Sequence, residues 1–368
     1  MKSHAIFSDA IEDKALSQFF DALKQDWAVR GALMPDAHAG YSLPIGAVVA
    51  TEGVIVPSWV GFDIGCGVLA VPTSFEAGAV RAKAKQIFGG IYKRVPTGFS
   101  HNSKSSQWVA GESLSRSDAM QSILDRKGMS DLHSLGGGNH FIEIAADETD
   151  RVWIVIHSGS RNLGHTTATH YMKLASGDGR AREGHYPLHE NSVDGKNYIK
   201  DLEFCLEYAL ENRIGMAARI EAAIKSEVCV GKVMWDGVIN RNHNHAEKKD
   251  GLWIHRKGAT HAEEGMAGVI PGSMRDGSFV VHGKGNPDSL CSSSHGAGRV
   301  MGRAEAKRTL DMAIFKKEME DRGIQARVDD STLDESAGAY KDVFSVMAMQ
   351  RDLVEVVHHL KPLVNCKG

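Results

Sequence analysis

The sequence is poor in features that mark several common protein classes. No apolar run approaches the roughly 18 residues needed to span a bilayer. The opening stretch MKSHAIFSDAIEDK has no apolar segment of signal-peptide length. These absences argue against a membrane or exported protein, and the expected compartment is the cytoplasm. Cysteine is scarce and scattered, at 66, 205, 229, 291 and 366. Five dispersed cysteines do not make a disulfide framework and suit a reducing environment. Excess charge is also missing, since the formal net charge is −3. An acidic balance does not favour non-specific nucleic-acid binding, so a phosphate-rich ligand would need a local basic patch or a metal. The sequence has no CxxC pair, no HExxH and no GxxxxGK[ST]. Zinc ribbons, zincins and Walker-type nucleotide loops are therefore not indicated.

Two residue types are abundant. The chain has 39 glycines and 18 histidines in 368 residues. Glycine exceeds its usual ~7% share, and many glycines flank histidines. That pattern suggests backbone turning tightly around a polyhistidine site. The hydrophobic fraction of 42% allows a sizeable core.

The order of elements reads as mixed. Ile11, Leu16, Phe19, Phe20, Leu23 and Trp27 are close to helical spacing. IGAVVAT, GVIVPSWVGF and GVLAV, between 45 and 72, read as short strands broken by glycine. The serine-rich stretch 100–117 reads as a surface loop, and RVWIVIHSGSR (151–161) as a buried strand ending in a polar turn. Leu202, Leu206, Leu210, Ile214 and Ala217 share a helical spacing, which predicts a helical insertion over roughly 163–228. GLWIHRKGA and GSFVVHG read as strands, and 302–325 and 340–360 as helices. Candidate site residues come from the whole length. The expected fold is α+β, one compact domain over 1–368 with mixed sheets around a central site and a helical insertion.

Four glycine-framed segments carry candidate metal chemistry. GFDIGCGV offers Asp63 and Cys66, a hard carboxylate beside a soft thiolate. LGGGNHFIEI places Asn139 and His140 at the start of a strand, with Glu143 three residues on. His157 sits at the polar end of an apolar strand. NRNHNHAEK offers His243 and His245, which would share one face of an extended segment. Each segment alone fits an ordinary turn. Together they form a coherent ligand set for one or two divalent metals. HRKGATHAEEGMAGVIPGSMRDGS combines Arg256 and Lys257 with glycine turns, Ser273 and Ser278, a pattern suited to an anion nest. CSSSHGAGR adds hydroxyls, His295 and Arg299, which could clamp phosphate oxygens.

At these blocks the sequence resembles the RtcB family of RNA-splicing and repair ligases. The resemblance is carried by MPDAHAGYSLPIGAVVAT, VGFDIGCGV, LGGGNHFIEI, VIHSGSRNLGH, HRKGAT, VIPGSM, SHGAGRVMGR, DESAGAYKDV and the terminal LKPLVNCKG, in family order along nearly the whole chain. It implies an enzyme that uses GTP and Mn²⁺, with two ions, to join an RNA 3′-phosphate or 2′,3′-cyclic phosphate end to a 5′-hydroxyl end, in RNA repair or tRNA splicing. The implied metal ligands are Asp63, Cys66, His140, His157 and His243, with Cys66 bridging. Asn139 would touch GTP phosphate, and Glu143, Ser273, Ser278, Tyr340 and Lys367 would surround the guanine nucleotide. Arg299 would contact phosphate, Asp36 would lie beside the site, and His295 would be the nucleophile that becomes guanylylated. The implied partners are broken RNA and GTP, with the need for a helper protein left open. The competing expectations are a metal-dependent RNA-end phosphodiesterase that does not ligate and a non-catalytic RNA-binding protein.

Overall fold

The computed structural model describes residues 2–368. Two sheets dominate. The smaller has five strands in the order Ser3–Ile6, Ala28–His38, Ile45–Glu52, Leu252–Lys257 and Asn244–Lys249. Its first pair is parallel and the other pairs are antiparallel. The larger runs Ala267–Pro271, Ser278–Gly283, Val354–Lys367, Phe141–Ala146, Arg151–Ser158, Gly67–Glu76 and Ile239–Asn242, with Gln325–Ala326 pairing beside Val354–Lys367. This sheet curls until its outer strands meet, where the Arg241 side chain donates to the Ala267 carbonyl at 3.2 Å. The fold is α+β, with mixed sheets and helices around one centre.

The strand period of two explains the layers. In the central strands, Leu69, Val71, Ile142, Ile144, Ile154 and Ile156 face outward into a core closed by helices. Val68, Ala70, Phe141, Ala145, Trp153 and Val155 face inward and pack inside the curl. Each buried isoleucine or valine contributes about 2 kcal/mol. Glu143 and His157 occupy inward positions of the same alternation, so strand geometry sends them into the curl.

The N-terminal helix forms at Asp13–Leu23 and buries Ala15, Phe19, Ala22 and Leu23. The helical segment expected at 163–228 contains two helices, Arg161–Ser176 and Val193–Lys225. The second starts at Ser192, whose hydroxyl accepts from the Gly195 amide. It spans about 50 Å, and it packs its Met216, Ala217, Ile220 and Ala223 onto the outer face of the large sheet. The expected stripe 202–206–210–214 drifts off the buried face, because steps of four advance 400° and gain about 40° each time. Cys205, Ala209, Asn212, Met216 and Ile220 lie on the buried face.

Two local expectations differ from the structure. Pro57–Val60 is a single helical turn, with proline at its first position. The stretch 340–360 splits into a short helix, Val343–Met349, capped by Asp342, and the beginning of the 14-residue strand Val354–Lys367. The β-branched VEVV run suits that strand, and Pro362 is accommodated where the register shifts between Pro362 and Val364. Among the described residues no helix is long and apolar enough to cross a membrane.

Candidate metal and nucleotide site

The register of the large sheet brings four strand ends together. Phe141 pairs with His157, Gly67 with Ser158, and Gly67 with Asn242. His140 precedes the first of these strands, Cys66 precedes the third, and His243 follows the fourth. All therefore meet His157 at one edge. Cys66 Sγ lies 3.2 Å from His157 Nε2 and 3.5 Å from His140 Nε2. His157 Nε2 lies 3.2 Å from His243 Nε2, and His140 Nε2 lies 3.0 Å from Asp63 Oδ2. The five groups make two triads, Cys66–His157–His243 and Asp63–Cys66–His140, with Cys66 common to both.

Neighbouring carbonyls fix the imidazole orientation. His140 Nδ1 donates to the Leu135 carbonyl at 2.8 Å, and His157 Nδ1 to the Asn139 carbonyl at 3.2 Å. A carbonyl only accepts, so both Nδ1 atoms carry hydrogen and both Nε2 lone pairs face Cys66. Burial, reinforced by nearby His140 and His295, holds His157 well below the usual imidazole range, and burial does the same to His243. Both are neutral and able to ligate near pH 7. Burial and the Asp63 charge push the Cys66 thiol well up. Imidazole lone pairs and the Asp63 carboxylate gathered around a buried sulfur are a donor set for divalent transition metals, and a bound cation would deprotonate the thiol outright. These residues fit the two-metal centre that the resemblance implies. Gly159 allows the close approach, since a Cβ there would sit 2.4 Å from Asp63 Oδ1.

A cavity of about 960 Å³ opens over the cluster. Asp63, Cys66, Asn139, His243, His295 and Arg299 line it. His295 follows the strand Ser292–Ser294, and its ring centroid is 4.8 Å from that of His243. Its Nδ1 lies 2.7 Å from Asp36 Oδ2. The same oxygen accepts from the backbone amides of His295 at 3.1 Å and Gly296 at 3.2 Å. Burial pushes the fully buried Asp36 carboxyl up, but the His295 charge and hydrogen bond outweigh it and hold it below its ordinary value. A carboxylate at Nδ1 leaves Nε2 as the free ring nitrogen, the arrangement of a base-oriented nucleophile. Gly298 makes the turn possible, with φ +76° and room for no Cβ beside the Asp36 carbonyl.

Next to this cavity is a tight second one of about 10 Å³, lined by Glu143, Ser273, Ser278, Tyr340 and Lys367. Ser278 donates to Glu143 Oε1 at 3.0 Å, and Asn365 to Oε2 at 3.2 Å. Burial raises the Glu143 carboxyl to about 7 despite those bonds and nearby Lys367. Ser273 instead donates to Asp276 at 2.7 Å. Lys367 pairs with Glu335, which also accepts from Tyr340 Oη at 2.7 Å. Arg299 joins the two cavities, stacking over the Tyr340 ring at 5.0 Å and donating to the Asp334 carbonyl at 2.7 Å. Burial pushes Glu335 up, but Lys367 and Arg303 outweigh it and hold the carboxyl at about 2.

Some residues sort differently from the sequence reading. His243 and His245 do not share a site, because the chain passes from the large sheet to the small one at His243. His243 joins Cys66, whereas His245 faces Arg256 at 3.2 Å. Arg256 and Lys257, adjacent on a strand, point to opposite faces. Lys257 lines the large cavity, while Arg256 is fully buried against His245, Glu247 and Ser292. Three residues that sequence reasoning missed support the site. Arg213 is fully buried and donates to the Gly65 carbonyl at 2.9 Å and the Ser158 carbonyl at 2.8 Å, tying the Cys66 loop to the end of the His157 strand. Glu335 and Asn365 complete the small cavity's polar network. An arginine on the apolar face of a long helix was the available signal for Arg213.

Comparison with known proteins decides the family. The profile described as tRNA-splicing ligase RtcB matches residues 22–368. The chain belongs to the RtcB family. It is 34% identical to an RNA-splicing ligase RtcB1 of Escherichia coli, over 97% of this chain and 95% of that one. It is 28% identical to the tRNA-splicing ligase RtcB of Thermococcus kodakarensis, over 91% and 87% respectively. The RtcB profile thus spans both triads, the His295 turn and the small cavity.

Proposed function

We propose that this chain works as one catalytic domain and is a GTP- and Mn²⁺-dependent RNA ligase. In this reading it joins 3′-phosphate or 2′,3′-cyclic phosphate ends to 5′-hydroxyl ends, in RNA repair or tRNA splicing in the cytoplasm. One observation carries the reading: His295, oriented by Asp36, shares a cavity with two ligand triads joined at Cys66. The names of its relatives as RNA- and tRNA-splicing ligases support it.

The residues account for each step. GTP would seat its base beside Glu143, Ser273, Ser278, Tyr340 and Lys367, which must part to admit it because about 10 Å³ holds at most one water, with Asn139 and Arg299 on its phosphates. His295 Nε2 attacks the α-phosphorus, a P–N bond forms, and the P–O bond to pyrophosphate breaks. Asp36 at Nδ1 stabilises the positive charge that builds on the ring. An oxygen of the RNA 3′-phosphate then attacks the same phosphorus, the P–N bond breaks, and the neutral ring returns. The RNA now ends in a 3′,5′-pyrophosphate to guanosine. The 5′-hydroxyl oxygen attacks the RNA phosphorus, its proton passes to solvent, and the pyrophosphate P–O bond breaks to release GMP. A cyclic end is first opened by water to the 3′-phosphate. Asp63, Cys66, His140, His157 and His243 would hold two Mn²⁺ ions, which would neutralise phosphate charge. A plain phosphodiesterase would have no use for the second cavity.

The test is incubation with α-labelled GTP and Mn²⁺. The expected result is an acid-labile covalent label on the wild type, absent from His295→Ala. An unlabelled wild type, or equal labelling of His295→Ala, contradicts the mechanism.

A further inference from the structure

At the mouth of the large cavity the chain displays an aromatic ring that packing does not explain. Tyr41 is 77% exposed, yet it lines the same cavity as Asp63, His243 and His295. Among the described residues its ring meets no other aromatic ring and its hydroxyl holds no hydrogen bond. Its backbone, by contrast, is pinned. Gln18 donates to the Gly40 carbonyl at 2.9 Å and the Tyr41 carbonyl at 2.5 Å, and accepts from the Gly40 amide at 3.1 Å. The Glu12 carboxylate accepts from the Ala39 amide. Both clamping residues lie before residue 22, where the family match begins. The N-terminal segment thus holds an otherwise free ring at the cavity's rim. Lys14, Arg303 and Lys341 line the same opening, together with Glu12 and Glu305. The opening thus carries Lys14, Lys257, Arg299, Arg303 and Lys341 against Glu12, Asp63, Glu183 and Glu305.

An exposed aromatic ring on a pinned backbone, with cations in the same opening, is an arrangement that can hold single-stranded nucleic acid. Every base has a π-face, so such stacking tolerates any sequence, while the cations meet the backbone. Accepting the ligase reading above, we propose that Tyr41 is the stacking platform for the base of the 3′-terminal nucleotide, the one whose phosphate lies at His295. Lys14 meets the backbone on its 5′ side. The N-terminal helix, through Gln18 and Glu12, is then a positioning element for RNA.

The experiment uses the full chain and a short RNA with a 3′-phosphate, carrying 2-aminopurine at the 3′ end. Fluorescence gives both affinity and stacking. The wild type and Tyr41→Phe are expected to bind with strong quenching. Tyr41→Ala is expected to bind about tenfold more weakly, without quenching, in line with the usual worth of one stacked base. On the wild-type protein, in competition against the 2-aminopurine RNA, an RNA lacking only its 3′-terminal base should compete more weakly by a similar factor, and one lacking a base five positions away should not. Equal affinity of Tyr41→Ala and wild type overturns the proposal, as does a Phe variant as weak as Ala. An equal penalty for the two abasic positions overturns it too. Labelling by GTP in the same preparations separates the two readings. A wild type that binds through Tyr41 but takes no label removes the ligase mechanism and leaves the platform. A labelled wild type that ignores Tyr41 removes the platform alone.

Discussion

Two clusters in this protein look alike on composition and differ in chemistry. Cys66, His157 and His243 bring their donor atoms together, with Asp63 and His140 alongside, and so do His245, Glu247 and His261. In the first, backbone carbonyls take the Nδ1 hydrogens of His140 and His157, so that lone pairs converge on one sulfur. In the second, a cation is already in place. Arg256 donates to His245 Nε2 and to Glu247. The His245 and His261 rings also stack at 4.7 Å and 19°. Lone pairs lie in the ring planes, and planes inclined by only 19° send them nearly side by side rather than toward one point. The first cluster could hold a metal, whereas the second already holds a guanidinium. Orientation, not the count of histidines, separates them.

The largest expected effect comes from emptying the first cluster. His157→Ala removes the ring that touches both Cys66 and His243. It should lower Mn²⁺ affinity by more than the roughly 10–100-fold typical of outer-sphere changes, measured by titration, and should abolish RNA joining. Arg213→Met comes next. It leaves the Gly65 and Ser158 carbonyls without their buried donor, at a cost of about 3 kcal/mol, readable by denaturant unfolding. Mn²⁺ binding should weaken with it, because the Cys66 loop loses its anchor.

The third prediction is a pH effect at the small cavity. Glu143 holds its proton up to about 7 when folded, against 4.5 when free. Between those values the unfolded chain releases a proton that the folded chain keeps, so this group's contribution is present below about 4.5 and is lost as pH rises to about 7. The difference is on the order of 3 kcal/mol. Glu143→Gln should therefore gain stability relative to the wild type at pH 8 compared with pH 5, in paired thermal melts without metal. The smallest effect belongs to the second cluster. His245→Ala should cost about 1–2 kcal/mol for the lost Arg256 bond and leave Mn²⁺ binding unchanged.

Much of the site was legible because glycine-framed histidines at strand ends are a visible pattern. The Cys66, His140 and His157 segments could be singled out from residue type and spacing alone. Their meeting point could not, since it depends on the register of four antiparallel strands. His245 shows the limit of the two-residue rule, which fails where the chain changes sheets. The final strand was hidden for a related reason. Residues 340–353 do form a helix and a turn, and the VEVV signal that follows is short. Its 14-residue strand is stabilised by pairing with three others, none of them close in sequence. Arg213 and Glu335 were invisible as site residues because they act on backbone and neighbours rather than through a motif.

The most direct test is a count of tightly bound Mn²⁺ by electron paramagnetic resonance. If Cys66 is common to two metal sites, the wild type binds two ions, and His140→Ala and His243→Ala each lose one. Cys66→Ala then loses both, and His245→Ala keeps both. A Cys66→Ala protein that retains one full-affinity ion, or a His245→Ala protein that loses one, would contradict the account.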